Sequence, residues 1–167
     1  MGTLVITGVS GFLGQALLQS LDQDPQRPAR VVGIDIRFPT YSPPWLVFYS
    51  HDVREEVLAA RLKREQAEQL VHLANPQVPM RDERLRRQIV VGGAKNILSA
   101  CAQAGVRHLL MLSSAVVYGP KEETDAVVTE DSPLRGHPRF GYARDMIRVQ
   151  LLAEEFAERH PETTVTG

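Results

Sequence analysis

A chain of 167 residues with formal net charge -1 and 43% hydrophobic residues has the length of one domain and the balance of an ordinary globular protein. It carries no basic excess to draw nucleic acid and no apolar stretch long enough to span a bilayer, so neither nucleic acid nor membrane is an expected partner. The first strand begins at the N-terminus, so no signal peptide is expected. A single cysteine fits a reduced, cytoplasmic setting.

The apolar run Leu4-Val5-Ile6 reads as a buried strand, and Thr7-Gly8-Val9-Ser10-Gly11-Phe12-Leu13-Gly14 follows it immediately. A helix then opens with Leu13, Ala16, Leu17 and Leu21 on one face. In that context each glycine has a task. Gly8 permits a tight turn, Gly11 lets backbone approach a pyrophosphate, and Gly14 lets helix and strand pack closely. The helix N-terminus adds free N–H groups and partial positive charge for phosphates. A turn that merely contains glycine is the simpler alternative; three glycines at this spacing between strand and helix argue for a nucleotide site.

Asp24 to Pro28 interrupts the helical pattern, and Val31 to Ile34 forms a second buried strand ending at Asp35. Asp35 lies 21 residues beyond Gly14, close to the offset of a carboxylate that binds an adenosine ribose. Such an acid accepts from a free 2′-hydroxyl and repels a 2′-phosphate, which favours NAD over NADP. Arg37 softens that preference. A loop at 38–45 leads to a third strand at 46–49. Asp52 then reads as the N-cap of a helix to about Gln66, with Glu55 as its capping-box acid.

A fourth strand is expected over Gln69–Ala74, ended by Asn75-Pro76, with His72 as a satisfied core histidine. A long helix at 82–104 places Leu85, Ile89, Ala94, Ile97, Leu98 and Cys101 inward and stops at Gly105. Cys101 reads as a small buried residue, and Arg81, Arg84, Arg86 and Arg87 as the solvated face. The fifth strand, His108–Leu112, runs into Ser113-Ser114-Ala115-Val116-Val117-Tyr118-Gly119. A polar stretch at 120–139 has the length of a functional loop. A last helix at 140–159 and a short strand from Thr163 complete the chain. Repeated strand–helix alternation with buried strands predicts a doubly wound parallel sheet, layered αβα. Gly8, Asp35, Ala74-Asn75 and Ser113-Ser114 then all fall at carboxyl ends of strands, where such sheets bind ligands.

Taken together, these residues resemble the extended short-chain dehydrogenase/reductase family, the NAD-dependent epimerases and dehydratases of sugar nucleotides. The matching residues are Thr7-Gly8-x-x-Gly11-x-x-Gly14, Asp35, Asp52-Val53, His72-Leu73-Ala74, Ser113-Ser114-x-x-Val117-Tyr118-Gly119, the acidic Glu130-Asp131-Ser132-Pro133 segment, and Tyr142 at a helix start. The resemblance implies a Rossmann fold over 1–167. It implies pyrophosphate contacts from Gly8, Ser10, Gly11, Phe12, Leu13 and Gly14. Asp35 would bind the ribose, Asp52 and Val53 the adenine, and Leu73, Ala74 and Asn75 the next stretch of cofactor. Ser114 would position a substrate oxygen, and Tyr142 would serve as general acid/base. Helices 82–104 and 140–159 would form a homodimer interface, and the substrate would be nucleotide-sugar-like.

The chain departs from the family pattern in three places. The family's Tyr-x-x-x-Lys reads Tyr142-Ala143-Arg144-Asp145-Met146, so the lysine that lowers the tyrosine pKa and binds the nicotinamide ribose is replaced. Val90 stands where the family carries an asparagine. The C-terminal part that builds the sugar-nucleotide pocket is expected to be missing. Either Ser114 and Tyr142 serve an epimerase/dehydratase in its full-length form, or Met146 is core packing and the chain is a catalytically impaired NAD(P)-binding sensor or scaffold. The isolated chain is expected to bind cofactor without turnover.

Overall fold

The computed structural model describes residues 2–76, 80–120, 127–137 and 139–167. Strand β1 (Thr3–Thr7) is buried along its whole length, and its side chains alternate between two hydrophobic layers. Leu4 and Ile6 pack with Val31, Leu18 and Leu21 on one face. Val5 packs with Val32, Ile34 and Leu70 on the other. The first layer is closed by helix α1 (Phe12–Gln23). The second is closed by α2 (Val57–Arg64), α4 (Gly93–Ala104) and α5 (Gly141–Arg159). A short α3 (Glu83–Arg87) precedes α4.

Strands β2 (Arg30–Asp35), β3 (Leu46–Ser50), β4 (Ala67–His72), β5 (His108–Met111) and β6 (Thr164–Thr166) complete a six-stranded sheet. Its order is β3-β2-β1-β4-β5-β6, and every pairing is parallel. The expected doubly wound αβα sheet is therefore the observed one. The chain winds outward from β1 to β3, then crosses back to set β4 beside β1. That reversal opens a crevice between the carboxyl ends of β1 and β4. Beyond it only one face of the sheet is covered by the described helices, which leaves Leu110 of β5 42% exposed.

Four details differ from the sequence expectation. The helix at 82–104 is unbroken but not uniformly α: a π-helical turn at Gln88–Gly92 joins α3 to α4. Leu85 faces outward, while Arg86 is buried against the Asp145 carboxylate of α5, with Nε–Oδ2 at 2.9 Å. A buried arginine needs a countercharge, and this one comes from 59 residues away, beyond the reach of periodicity. Asp52 does not cap α2, which begins five residues later with Glu56 as N-cap. Its carboxylate is occupied by the backbone and guanidinium of Arg54. Strand β4 stops at His72, so Leu73 to Asn75 form an extended exit rather than strand. Of the loop at 120–139, residues 121–126 and 138 lie outside the described residues.

Candidate functional site

Five strand ends are locked to one another by four main-chain hydrogen bonds just past the sheet. Gly8 N–H donates to the Ile34 carbonyl at 2.9 Å and Leu73 N–H to the Thr7 carbonyl at 2.9 Å. His51 N–H donates to the Asp35 carbonyl at 3.1 Å, and Leu112 N–H to the His72 carbonyl at 3.0 Å. These bonds hold the Gly8 turn, the Asp35 loop and the β4 exit in one row. The site is thus backbone-built before any side chain acts.

The glycine turn fits so closely that a side chain would break it. Gly8 has φ +74°, and a Cβ there would lie 2.5 Å from the Ala74 amide nitrogen. A Cβ at Gly14 would lie 2.5 Å from the carbonyl oxygens of both Gly8 and Val9. Gly11 is the N-cap of α1 and makes no side-chain cap, so the first-turn N–H groups remain available to an anion. Gln15 braces the turn: its amide donates to the Val9 carbonyl at 3.1 Å and accepts from Tyr41 N–H at 2.7 Å. Asp35 is held in the same way. Its carboxylate accepts from Ser10 N–H at 3.0 Å and Arg37 N–H at 3.2 Å.

Two adjoining lobes form the cleft at the β1/β4 switch point. The first, about 360 Å³, includes Gly8, Gly11, Asp35, Asp52, Val53, Leu73, Ala74 and Asn75 in its wall. The second, about 370 Å³, shares Gly8, Gly11, Leu73 and Asn75 and reaches Phe12, Leu13, Gly14 and Tyr142. Two sequence-predicted site residues stand outside both walls. Ser10 acts from behind, through Asp35 and a hydrogen bond from its hydroxyl to the Arg37 carbonyl. Ser114 caps the short 3-10 turn Ala115–Tyr118, its hydroxyl accepting from Val116 N–H at 3.5 Å. Sequence reasoning missed His51 and Arg54, which join the first lobe. Their signal was position: both lie just past the carboxyl end of β3. Phe12, 81% exposed, and Leu13, 45% exposed, leave apolar surface beside the cleft.

Electrostatics divide the cleft. At the Asp35–Asp52 end, hydrogen bonds and charge from Arg54 hold the Asp52 carboxyl below its ordinary value despite partial burial. Deep beneath the crevice His72 is fully buried, which lowers its pKa to about 4. Its Nδ1 is 2.6 Å from Thr7 Oγ1, so it is the satisfied core histidine expected. At the other end burial raises the Tyr142 phenol, while a hydrogen bond from Asn75 pulls against that rise. Cys101 is buried, and burial pushes its thiol up to about 12, in keeping with a packing role. No group of three or more His, Cys, Asp and Glu residues suited to a metal ion occurs among the described residues.

Comparison with known proteins places this geometry in context. The family model described as the NAD-dependent epimerase/dehydratase family matches residues 4–167. An uncharacterised protein of Mycobacterium tuberculosis is 26% identical over 98% of this chain and 45% of its own length. The chain therefore spans about half the length of the curated relatives it matches first. MoeE5, solved in complex with UDP-glucose and NAD, is 27% identical with TM-score 0.82, over 98% of this chain and 52% of that one. DesIV, a dTDP-glucose 4,6-dehydratase from Streptomyces venezuelae solved with NAD, is 26% identical with TM-score 0.83, over 98% and 53%.

Proposed function

This chain belongs to the NAD-dependent epimerase/dehydratase family, and from that premise we propose that it forms the NAD-binding part of an enzyme acting on a nucleotide-sugar-like substrate. The observation that carries the reading is the continuous two-lobed cleft running from Asp35 and Asp52 past the glycine turn to Tyr142. The residues present fit a dinucleotide. An uncapped helix N-terminus at Gly11 offers N–H donors to a pyrophosphate. The Asp35 carboxylate, fixed by two backbone donors, offers oxygens to ribose hydroxyls. Asp52 and Val53 flank the adenine end, and Leu73 to Asn75 line the path to the nicotinamide end.

Bound NAD supplies a hydride acceptor and donor at that end of the cleft. Tyr142 lines the same lobe, where its hydroxyl exchanges a proton with the reacting oxygen; Ser114 lies outside both lobe walls, so the cleft lends its expected role no support. A substrate pocket is built in part beyond these residues, so the isolated chain binds cofactor without steady turnover. Membership of the family, and relatives solved with NAD, favour this reading over a non-redox sensor. No helix among the described residues is long and apolar enough to cross a membrane. A groove of about 280 Å³ between α4 and α5, lined in part by Leu98, Ala102, Leu152 and Phe156, supports pairing of these helices in a homodimer.

Calorimetric titration with NAD and NADP tests the cofactor reading. NAD should bind, NADP should bind more weakly, and Asp35→Ala should weaken NAD. Absence of binding by either dinucleotide would overturn it.

A further inference from the structure

Tyr142 has a neutral environment. Its hydroxyl accepts a hydrogen bond from Asn75 Nδ2 at 2.7 Å, and no cation among the described residues hydrogen-bonds to it. The charged neighbours on the packed elements are otherwise engaged. Arg144 pairs with Glu83 at 3.5 Å, and Arg86 and Arg87 pair with Asp145 at 2.9 and 3.2 Å. Arg148 is exposed, and His72, with its pKa lowered to about 4 by burial, is neutral. A phenol that gives up its proton here must have its charge stabilised by something else.

The Asn75 amide is oriented for that task. Besides Tyr142, its Nδ2 approaches Met146 Sδ at 3.7 Å. A thioether accepts and never donates, so Met146 favours the NH2 end of the amide on this side. An ionised phenol likewise only accepts. The amide orientation that satisfies Met146 is therefore the one that stabilises a Tyr142 phenolate. The surroundings are mostly apolar, with Val90, Leu112, Met146 and Val149 lining a small cavity beside Asn75 and His72. Low polarity there strengthens a hydrogen bond to a developing charge. The same amide leaves Oδ1 buried without a partner among the described residues. That cost, accepted to keep the NH2 end on Tyr142, marks an orientation set by function rather than by packing alone.

We infer that Asn75 is a positioning residue for the Tyr142 hydroxyl and that Met146 fixes its amide, the two together standing in for a cationic partner of the tyrosine. The inference rests on the reading of Tyr142 as general acid/base.

The test is the ionisation of Tyr142 in the intact protein, followed by NMR of tyrosine labelled with carbon-13 at Cζ, with Tyr142→Phe assigning the signal. Asn75→Leu removes the donor at similar volume and should raise the Tyr142 pKa by about one unit, the size expected for losing a hydrogen bond to a charged group. Met146→Leu should raise it by less, because the amide loses only its orientation. Adding Met146→Lys to Asn75→Leu should bring the pKa back down. If Asn75→Leu does not fold, Asn75→Ala supplies the same comparison. An unchanged Tyr142 pKa in the folded Asn75 variant, while the native chain binds NAD, overturns this inference alone. Failure of the native chain to bind NAD overturns the wider reading, because the tyrosine titration needs no cofactor.

Discussion

The two ends of the cleft are built by different means. At the Asp35 end the parts are main-chain atoms and one carboxylate held by main-chain donors: the Gly8 turn, the open N-terminus of α1, and Asp35 under Ser10 and Arg37. At the Tyr142 end the parts are side chains that meet across 67 and 59 residues, Asn75 with Tyr142 and Arg86 with Asp145. Backbone geometry tolerates almost no added atom. A side-chain network instead tolerates replacement when its hydrogen bonds and charges are rebuilt together. Met146 and Val90, the two substitutions expected to depart from the family pattern, both lie buried at this side-chain end.

Breaking the side-chain end should have the largest effect. Asp145 is 2% exposed and carries both Arg86 and Arg87. Asp145→Ala leaves buried Arg86 with only the exposed Glu83 carboxylate at 3.9 Å and should cost about 3–5 kcal/mol, read as a lower urea midpoint. A loss within that of a surface substitution would mean that Arg86 escapes to solvent.

The crevice floor offers a pH test. His72 binds no proton in the folded protein until pH falls to about 4, whereas an unfolded histidine binds one from about pH 6.5. The unfolded state therefore takes up the proton first, and stability drops as pH falls from about 6.5 to 4. The contribution is about 3 kcal/mol. Comparing denaturation at pH 7 and 5 in the native chain and in His72→Gln checks it; the variant should show the shallower loss.

At the backbone end, Gly14→Ala should cost about 1–3 kcal/mol, because its Cβ meets two carbonyl oxygens at 2.5 Å and overpacking is relieved only by moving α1 away from the strand. NAD affinity should fall with stability if the same turn serves both. Smallest in energy is Asp35→Ala, expected to weaken NAD about tenfold, or ~1.4 kcal/mol, in a calorimetric titration. An equal gain for NADP would show that the carboxylate selects between the two.

The sequence itself determined the sheet, its buried strands and the binding end of the cleft. Those features are local: hydrophobic alternation, a glycine turn directly after a strand, and an acid at the end of the next strand. Twelve of the fourteen residues expected at the site do line the two lobes, mainly because strand ends are fixed once the sheet is fixed. Tertiary structure decided the rest. Arg86 reads as a surface residue until Asp145 is brought against it, and the 82–104 helix reads as uniformly α until its π turn appears. Asn75 reads as part of a strand exit until α5 presents Tyr142 and Met146 to it. For Arg86 and Asn75 the energy comes from a partner distant in the chain. A residue's own neighbours therefore carry no trace of it.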